Sequence, residues 1–527
     1  MPNFSKYSTL ERLILEDCEK LVKIEGSLGN LKRLKYLNLK GCNSLCCLPE
    51  ELCSLDALEE ITIKWERKGS SSHNHEEEKV FIIPEHVGKL RSLAVLEIVG
   101  VHINKIPHSI GELQMLNQLV LFGCSGFESL LESVWRLNSL EKLDLSNTDI
   151  EALPISIGGL EKLQILSLNH SEKLTELPHT LGNLESLIDL DLSWTKLTSL
   201  TDSIGHLSKL KVLKVTDTHI KKLPETIQGM ENLEELHAHG CSMEEVPDGI
   251  KGLKKLKILD LSGCIISSLP HLGEVSSLQT LLLEGCDELT EVPEVLSKSL
   301  TTLSVDSLAL QKLPDFPKLE QLNKLKLSDR SDRHSQSDHE IFNLQGIENL
   351  SKLSVLELHL LDVENFPEIV CTFWHLKVLV VACIRADYQI LQLPSTLSKL
   401  GLQYVDIKNK IRPASLGHLE NLVWLEIHDC STNDRLNSLE IDKFHSLTSL
   451  SIVECSNLIA LVDLNLPKNL EKLWIRDCGS LKSIPDLSEL QNLLLLDLSR
   501  NKGLTMIYGL DKLRSLETIN IALSVSQ

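Results

Sequence analysis

The sequence predicts an α/β leucine-rich-repeat solenoid, and three observations predict it. Leu10, Leu34 and Leu58 open the related segments LERLILEDC, LKYLNLKGC and LEEITIKW, each 24 residues after the last. Within such a segment the apolar residues alternate, as in LEKLDLSNT at 140–148, which is the period of a strand buried on one face. The chain has 527 residues, of which 42% are hydrophobic but only 4% aromatic. It therefore exceeds one compact core and buries mainly leucine.

The repeat runs the length of the chain. Further openings fall at Leu93, Leu116, Leu140, Leu163, Leu187, Leu210, Leu233, Leu256, Leu278 and Leu300, and later at Leu322, Leu353, Leu376, Leu422, Leu447, Leu470, Leu493 and Leu516. With a degenerate copy around Leu402, this makes about twenty-two repeats in a single array over 1–527, with the period expected of leucine-rich repeats. The segment LEKLDLSNTDIEALPISIGGLEKL at 140–163 shows the whole unit: LxxLxLxx(C/N/T/S), then xxLxxLP, then xxIGxLxxL. In LxL the leucines point inward and their neighbours outward. One repeat cannot bury its leucines alone. Stacked repeats give a right-handed superhelical horseshoe, with a parallel sheet on the concave face and loops or short helices on the convex face. Pro49, Pro107, Pro154, Pro178 and Pro224 suit a convex segment that needs no ladder donor. Strands about 4.8 Å apart imply an inner arc on the order of 100 Å.

The ninth position of the repeat holds Cys18, Cys42, Cys124, Cys241, Cys264, Cys286, Cys430, Cys455 and Cys478, and elsewhere Thr148, Thr195, Thr218, Ser171 and Asn501. A small hydrogen-bonding group at an interior bend can satisfy loop backbone, so these are read as structural thiols and hydroxyls. Two polar insertions lengthen their repeats, at 66–79 and 329–346, and are expected as loops.

Charge and motifs exclude several functions. A net charge of −21 argues against nucleic acid as a partner, because that binding runs on Lys and Arg. No secretory signal and no run of 18 apolar residues is present, so no membrane span is expected and the chain is placed inside the cell, in cytoplasm or nucleus. Phosphate-loop, dinucleotide-binding, HExxH and GxSxG motifs are missing, so no enzyme and no cofactor are expected. Cys42, Cys46, Cys47 and Cys53 lack paired CxxC spacing, and His73 and His75 stand in an acidic insertion; neither group is read as a metal site.

The candidate partner-binding residues are large or polar groups on the predicted concave face. The eighth position is usually Gly, yet it holds Trp194 and Trp65, with Phe122 and His170 on nearby repeats. Lined up across strands, these form an aromatic and histidine patch of hot-spot character. His237 and His239 share one strand face. Near the carboxyl end, Trp424, Glu426, His428 and Asp429 face outward with Trp474, Arg476 and Asp477. Each patch admits two readings: contact with a protein, or rings lying flat to shield the sheet.

The segment LERLILEDCEKLVKIEGSLGNLKRLKYLNLKGCNSLCCLPEEL, with SIGELQML, SIGGLEKL and SIGHLSKL, resembles the leucine-rich region of plant intracellular immune receptors, the class with an amino-terminal TIR domain and a nucleotide-binding switch. The resemblance implies sensing of pathogen effectors or host proteins and restraint of that switch. It covers essentially the whole chain but includes neither a TIR nor a nucleotide-binding segment. Covering of the chain ends by signalling domains or a capping partner is therefore expected. The alternative is an intracellular scaffold similar to the Ras-group leucine-rich proteins, whose ladder favours Asn over Cys and Thr.

Overall fold

The computed structural model describes residues 4–521, apart from 66–79, 312, 315, 329–341, 345–346, 360–362, 365–369, 371–372, 383–392, 405–415, 417, 431–435 and 463. The insertion at 66–79, with His73 and His75, lies outside the described residues, as does most of 329–346. The chain forms two compact units, Met1–Leu278 and Gln279–Gln527.

In the first unit, short strands from Arg12–Ile14 to Ile258–Asp260 pair in parallel, each with its successor in sequence. The register puts leucine against leucine: Leu143, Leu166, Leu190, Leu213 and Leu236 face one another strand by strand and are fully buried. The second unit repeats this from Thr280–Leu283 to Thr518–Asn520. It also carries a small two-stranded parallel sheet, Phe342–Asn343 against Val363–Glu364, so the end of the expected 329–346 loop is strand. Both units are leucine-rich-repeat solenoids.

The connections opposite the strands are 3-10 turns of three to five residues, such as Glu50–Ser54 and Ile155–Gly159. The predicted prolines stand immediately before such turns. Pro154, with φ −66° and ψ 151°, accepts the amide of Ile157 at 3.1 Å, so its missing N–H costs the turn nothing. The IG pair within the turn has a different cause. A Cβ on Gly182 would stand 2.1 Å from the carbonyl oxygen of Ser203, and one on Gly205 would stand 2.1 Å from that of Thr226. Neither glycine has a left-handed φ; the residue is set by the backbone of the next repeat pressing on it.

The ninth-position ladder closes the interior. Thr148, Thr195 and Thr218 donate to the sixth-position carbonyls of their own repeats, Leu145, Leu192 and Val215, at 2.7, 2.8 and 2.8 Å. Cysteine and serine reach the equivalent carbonyl one repeat earlier: Cys42 to Leu15 at 2.9 Å, Ser171 to Leu145 at 3.0 Å, Cys241 to Val215 at 2.9 Å and Cys264 to Ala238 at 3.2 Å. Asn501 does both, donating to Ile475 at 2.6 Å and Leu498 at 2.9 Å while accepting the Cys478 amide at 3.0 Å. Described cysteines are free thiols. Burial pushes the Cys241 thiol up, and that of Cys53, on the opposite side of the repeat, to about 11, so neither is a nucleophile at neutral pH.

Replacing Asn501, 1% exposed, by Ala orphans two carbonyls and one amide. The expected cost is about 3 kcal/mol, read as a lower urea midpoint and faster hydrogen exchange at the Cys478 amide. Unchanged exchange there would show that the ladder bond contributes nothing.

Candidate functional site

The eighth position of the repeat is a left-handed corner. Gly41, Gly123 and Gly240 adopt φ of 73°, 68° and 70° there, and Asp17, Asn147 and Asp217 adopt 54°, 54° and 52°. Glycine, asparagine and aspartate are the residues that tolerate this conformation. His170 and Trp194, on consecutive repeats, adopt it too, with φ of 58° and 59°, at a cost of about 1–2 kcal/mol each. Their rings stack, with centroids 5.1 Å apart and planes 15° from parallel. Trp194 nevertheless remains 47% exposed.

The rest of the expected patch divides. Phe122 is exposed at the seventh position, with the repeat of Asn147 between it and His170, so two strand spacings, roughly 10 Å, separate them. Trp65 lies outside the left-handed set. Its ring meets buried Phe81 edge-on, with centroids 6.2 Å apart, and its Nε1 is buried without a hydrogen bond. Trp65 is thus partly built into the packing beside the insertion.

His237 and His239 follow on the same face. His237 is half-buried in the strand Glu235–His237, with Nε2 3.0 Å from Oε2 of Glu235, while His239 is exposed just beyond the strand. Around them the strand face carries Asp144, Asp189, Asp191, Asp217, Glu235 and Asp260 against Lys142 and Lys214. The carboxylates of Asp144, Asp191 and Asp260 each accept, through Oδ1, the amide of the serine two residues on at 3.0 Å. Lys214 lies 4.0 Å from Asp191. Burial raises the carboxyl pKa of Asp189; Lys214 opposes that, and Asp191 and Glu235 add to it.

In the second unit the expected cluster is assembled as a stack. Trp424 and Trp474 lie 5.4 Å apart with planes 29° from parallel, and the ammonium of Lys399 sits 4.9 Å from the Trp424 centroid and 4.0 Å from Glu426. Register places Ser449 and Ser451 between the two indoles, and both serines are buried. These rings therefore cover the sheet. Tyr404 meets His428 edge-on at 5.7 Å, His428 Nε2 lies 3.6 Å from Glu454, and Arg476 Nε lies 3.7 Å from Asp497.

One polar group was not foreseen. Lys326 Nζ reaches over an intervening strand to Glu284 Oε2 at 2.8 Å, and Ser304, on that strand, donates to the other Glu284 oxygen at 2.7 Å. Burial works against the Glu284 carboxylate, but Lys326 and Ser304 hold its pKa below the ordinary value. His359, at the end of Val355–His359, has its pKa lowered by burial and then by Lys326, against the pull of Glu357. Among the described residues, no group of three or more His, Cys, Asp and Glu side chains can hold a metal ion, and no helix is long and apolar enough to cross a membrane.

Two outcomes follow from this geometry. Trp194→Asn relieves the left-handed strain and loses one stack, worth about 0.5–1.5 kcal/mol, so the unfolding midpoint stays level or rises. Leu190→Ala in the same repeat should cost about 2–5 kcal/mol. A comparable loss in Trp194→Asn would make the indole a core residue. His359 has a folded pKa below its unfolded value, so its contribution is present above about pH 6.5 and is lost as pH falls through the folded pKa. His359→Gln should flatten the wild-type decline in stability across that acid window; an unaltered slope assigns the decline elsewhere.

Comparison with known proteins bears on the repeats. Residues 189–313 match the family described as a leucine-rich repeat region, and residues 49–148 match the R13L1/DRL21 leucine-rich repeats. Among solved structures, a leucine-rich-repeat protein of Leptospira interrogans is similar with 22% identity and TM-score 0.58, over 85% of this chain and 97% of that one. The Arabidopsis receptor kinase HAESA, solved with the peptide hormone IDA and the co-receptor SERK1, is 20% identical with TM-score 0.51, over 94% of this chain and 83% of that one. The functional domain of InlJ from Listeria monocytogenes, which includes a cysteine ladder, is 14% identical with TM-score 0.51, over 77% of this chain and 74% of that one. In fold, the chain is a leucine-rich-repeat solenoid, and residues 49–148 are similar to the R13L1/DRL21 leucine-rich repeats.

Proposed function

We propose that this chain is the protein-recognition region of a plant disease-resistance receptor, sensing pathogen effectors or host proteins inside the cell and restraining the signalling domains of that receptor. The observation that carries the reading is the exposed His170–Trp194 stack, held on two strained corners at the end of an open strand face. Strain kept in a bulky exposed residue points to a use beyond the fold, and tryptophan is enriched among the anchors of protein interfaces. The R13L1/DRL21 match supports the plant context, as do the C/T ladder and SIGxLxxL wording. HAESA, of similar fold, is solved in complex with a peptide hormone and a co-receptor. A signalling scaffold of the Ras-group kind is the second reading; the LPxxIxxL wording favours it, but Asn501 stands in a ladder otherwise dominated by Cys and Thr.

The test is capture of partners from infected plant tissue by the intact chain and by Trp194→Asn, with each captured protein then titrated against both. A true partner should bind the variant at least about tenfold more weakly, as for an interface anchor worth 1–2 kcal/mol. Equal affinity for every captured protein would remove this surface from recognition.

A further inference from the structure

We propose that the strand face of the first unit from Lys142 to Asp260 docks an arginine-rich polypeptide segment, with a guanidinium laid on the Trp194 indole. This rests on the reading of that face as a protein-binding surface and adds the chemistry of its partner. The occupant follows from charge complementarity. Six carboxylates, Asp144, Asp189, Asp191, Asp217, Glu235 and Asp260, share the face with Lys142 and Lys214. Lys214 is drawn to Asp191 and His237 to Glu235. Asp144 and Asp260 use one oxygen on a neutral serine amide and, among the described residues, have no ion-pair partner.

The contrast with the second unit sharpens this. There Asp497 makes the same turn with the Ser499 amide, yet its other oxygen is answered by Arg476 at 3.7 Å and Asn520 at 3.4 Å. In the first unit Asp191 is answered likewise, by Asn169 at 3.4 Å and Lys214 at 4.0 Å, whereas the charges of Asp144 and Asp260 are left to a visitor. The aromatic partner is adjacent: Trp194 follows Asp191 by three residues, and Asp217 occupies the next corner in its column. One face of the indole lies against His170 and half its surface stays open. A planar guanidinium stacks on such a ring and forks to carboxylates, which a lysine ammonium does not do. Burial, Asp191 and Glu235 all raise the carboxyl pKa of Asp189 against Lys214, a crowding that an incoming cation relieves.

The test titrates three labelled dodecapeptides, alternating serine with arginine, lysine or glutamate, against the full chain by fluorescence anisotropy at about physiological ionic strength. Wild type should bind the arginine peptide most tightly. Trp194→Asn should weaken it at least tenfold, and so should the combination Asp144→Asn, Asp191→Asn and Asp260→Asn, in which the amide oxygens keep the serine turns. The combination Glu161→Gln, Glu185→Gln and Glu231→Gln changes net charge equally at exposed positions away from the strands and should leave binding intact. No binding by wild type, equal binding of the lysine or glutamate peptide, or equal loss in both charge combinations overturns the proposal. If Trp194→Asn loses captured protein partners while the arginine peptide fails to bind, the recognition surface stands and only its cationic specificity falls.

Discussion

The structure depends on one buried backbone group per repeat. When the chain leaves a strand and turns inward, the carbonyl of the sixth residue points into the interior, where leaving it unbonded costs about 1–3 kcal/mol. Threonine answers from its own repeat, cysteine and serine answer from the following one, and Asn501 answers two carbonyls at once. Parallel strands present this carbonyl at every step, and the ninth side chain is mostly small and polar; where it is Val101, the Ile98 carbonyl is met by Cys124 of the next repeat. The leucine register follows from it: once the bend is closed, Leu190 and Leu213 have nowhere to lie but against each other.

The same bend dictates where large side chains are costly. Its eighth residue is usually left-handed, with Trp65 an exception, and glycine, asparagine and aspartate accept that conformation. At His170 and Trp194 the strain together is roughly 2–4 kcal/mol, and one stacked pair returns only about 0.5–1.5 kcal/mol. Packing alone does not account for these residues. The Trp424–Trp474 stack differs in this respect: both indoles stand at ordinary strand positions and bury Ser449 and Ser451, so their coverage of the sheet suffices to explain them. Of the two ring stacks, the one in the first unit stands on left-handed corners, although Tyr404, Glu454 and Arg500 adopt the same conformation in the second unit.

Legibility in the sequence follows the same division. The solenoid, its parallel register and the ladder were readable because period, alternation and residue size all express one repeating geometry. The left-handed corner was readable in principle from Gly41, Asn147 and Asp217, yet the large rings there drew notice by size rather than by conformation. What depends on distance between repeats was not readable. His170 and Phe122 are equally plausible neighbours of Trp194 in a list of residues, but stacked strands bring only the adjacent one to it. Trp65 meets Phe81 across an insertion, and Lys326 reaches Glu284 only because Ser304 between them is small. The glycine of SIGxLxxL was visible as a motif, whereas its cause, a carbonyl of the next repeat, lies more than 20 residues away.

An open strand face does not make a binding surface by itself, because ordering flexible side chains on contact consumes about 0.5–1.5 kcal/mol for each one immobilised. Here the repeat lowers that cost before any partner arrives. Asp144, Asp191 and Asp260 are already oriented by their own serine turns, and Trp194 is held against His170 on a corner with little backbone freedom. Both anchors are thus by-products of the bend that closes the interior. The turn that satisfies a buried carbonyl also fixes, on its outer side, a carboxylate and a ring in set directions. A partner meeting that face finds groups whose positions are determined by the core.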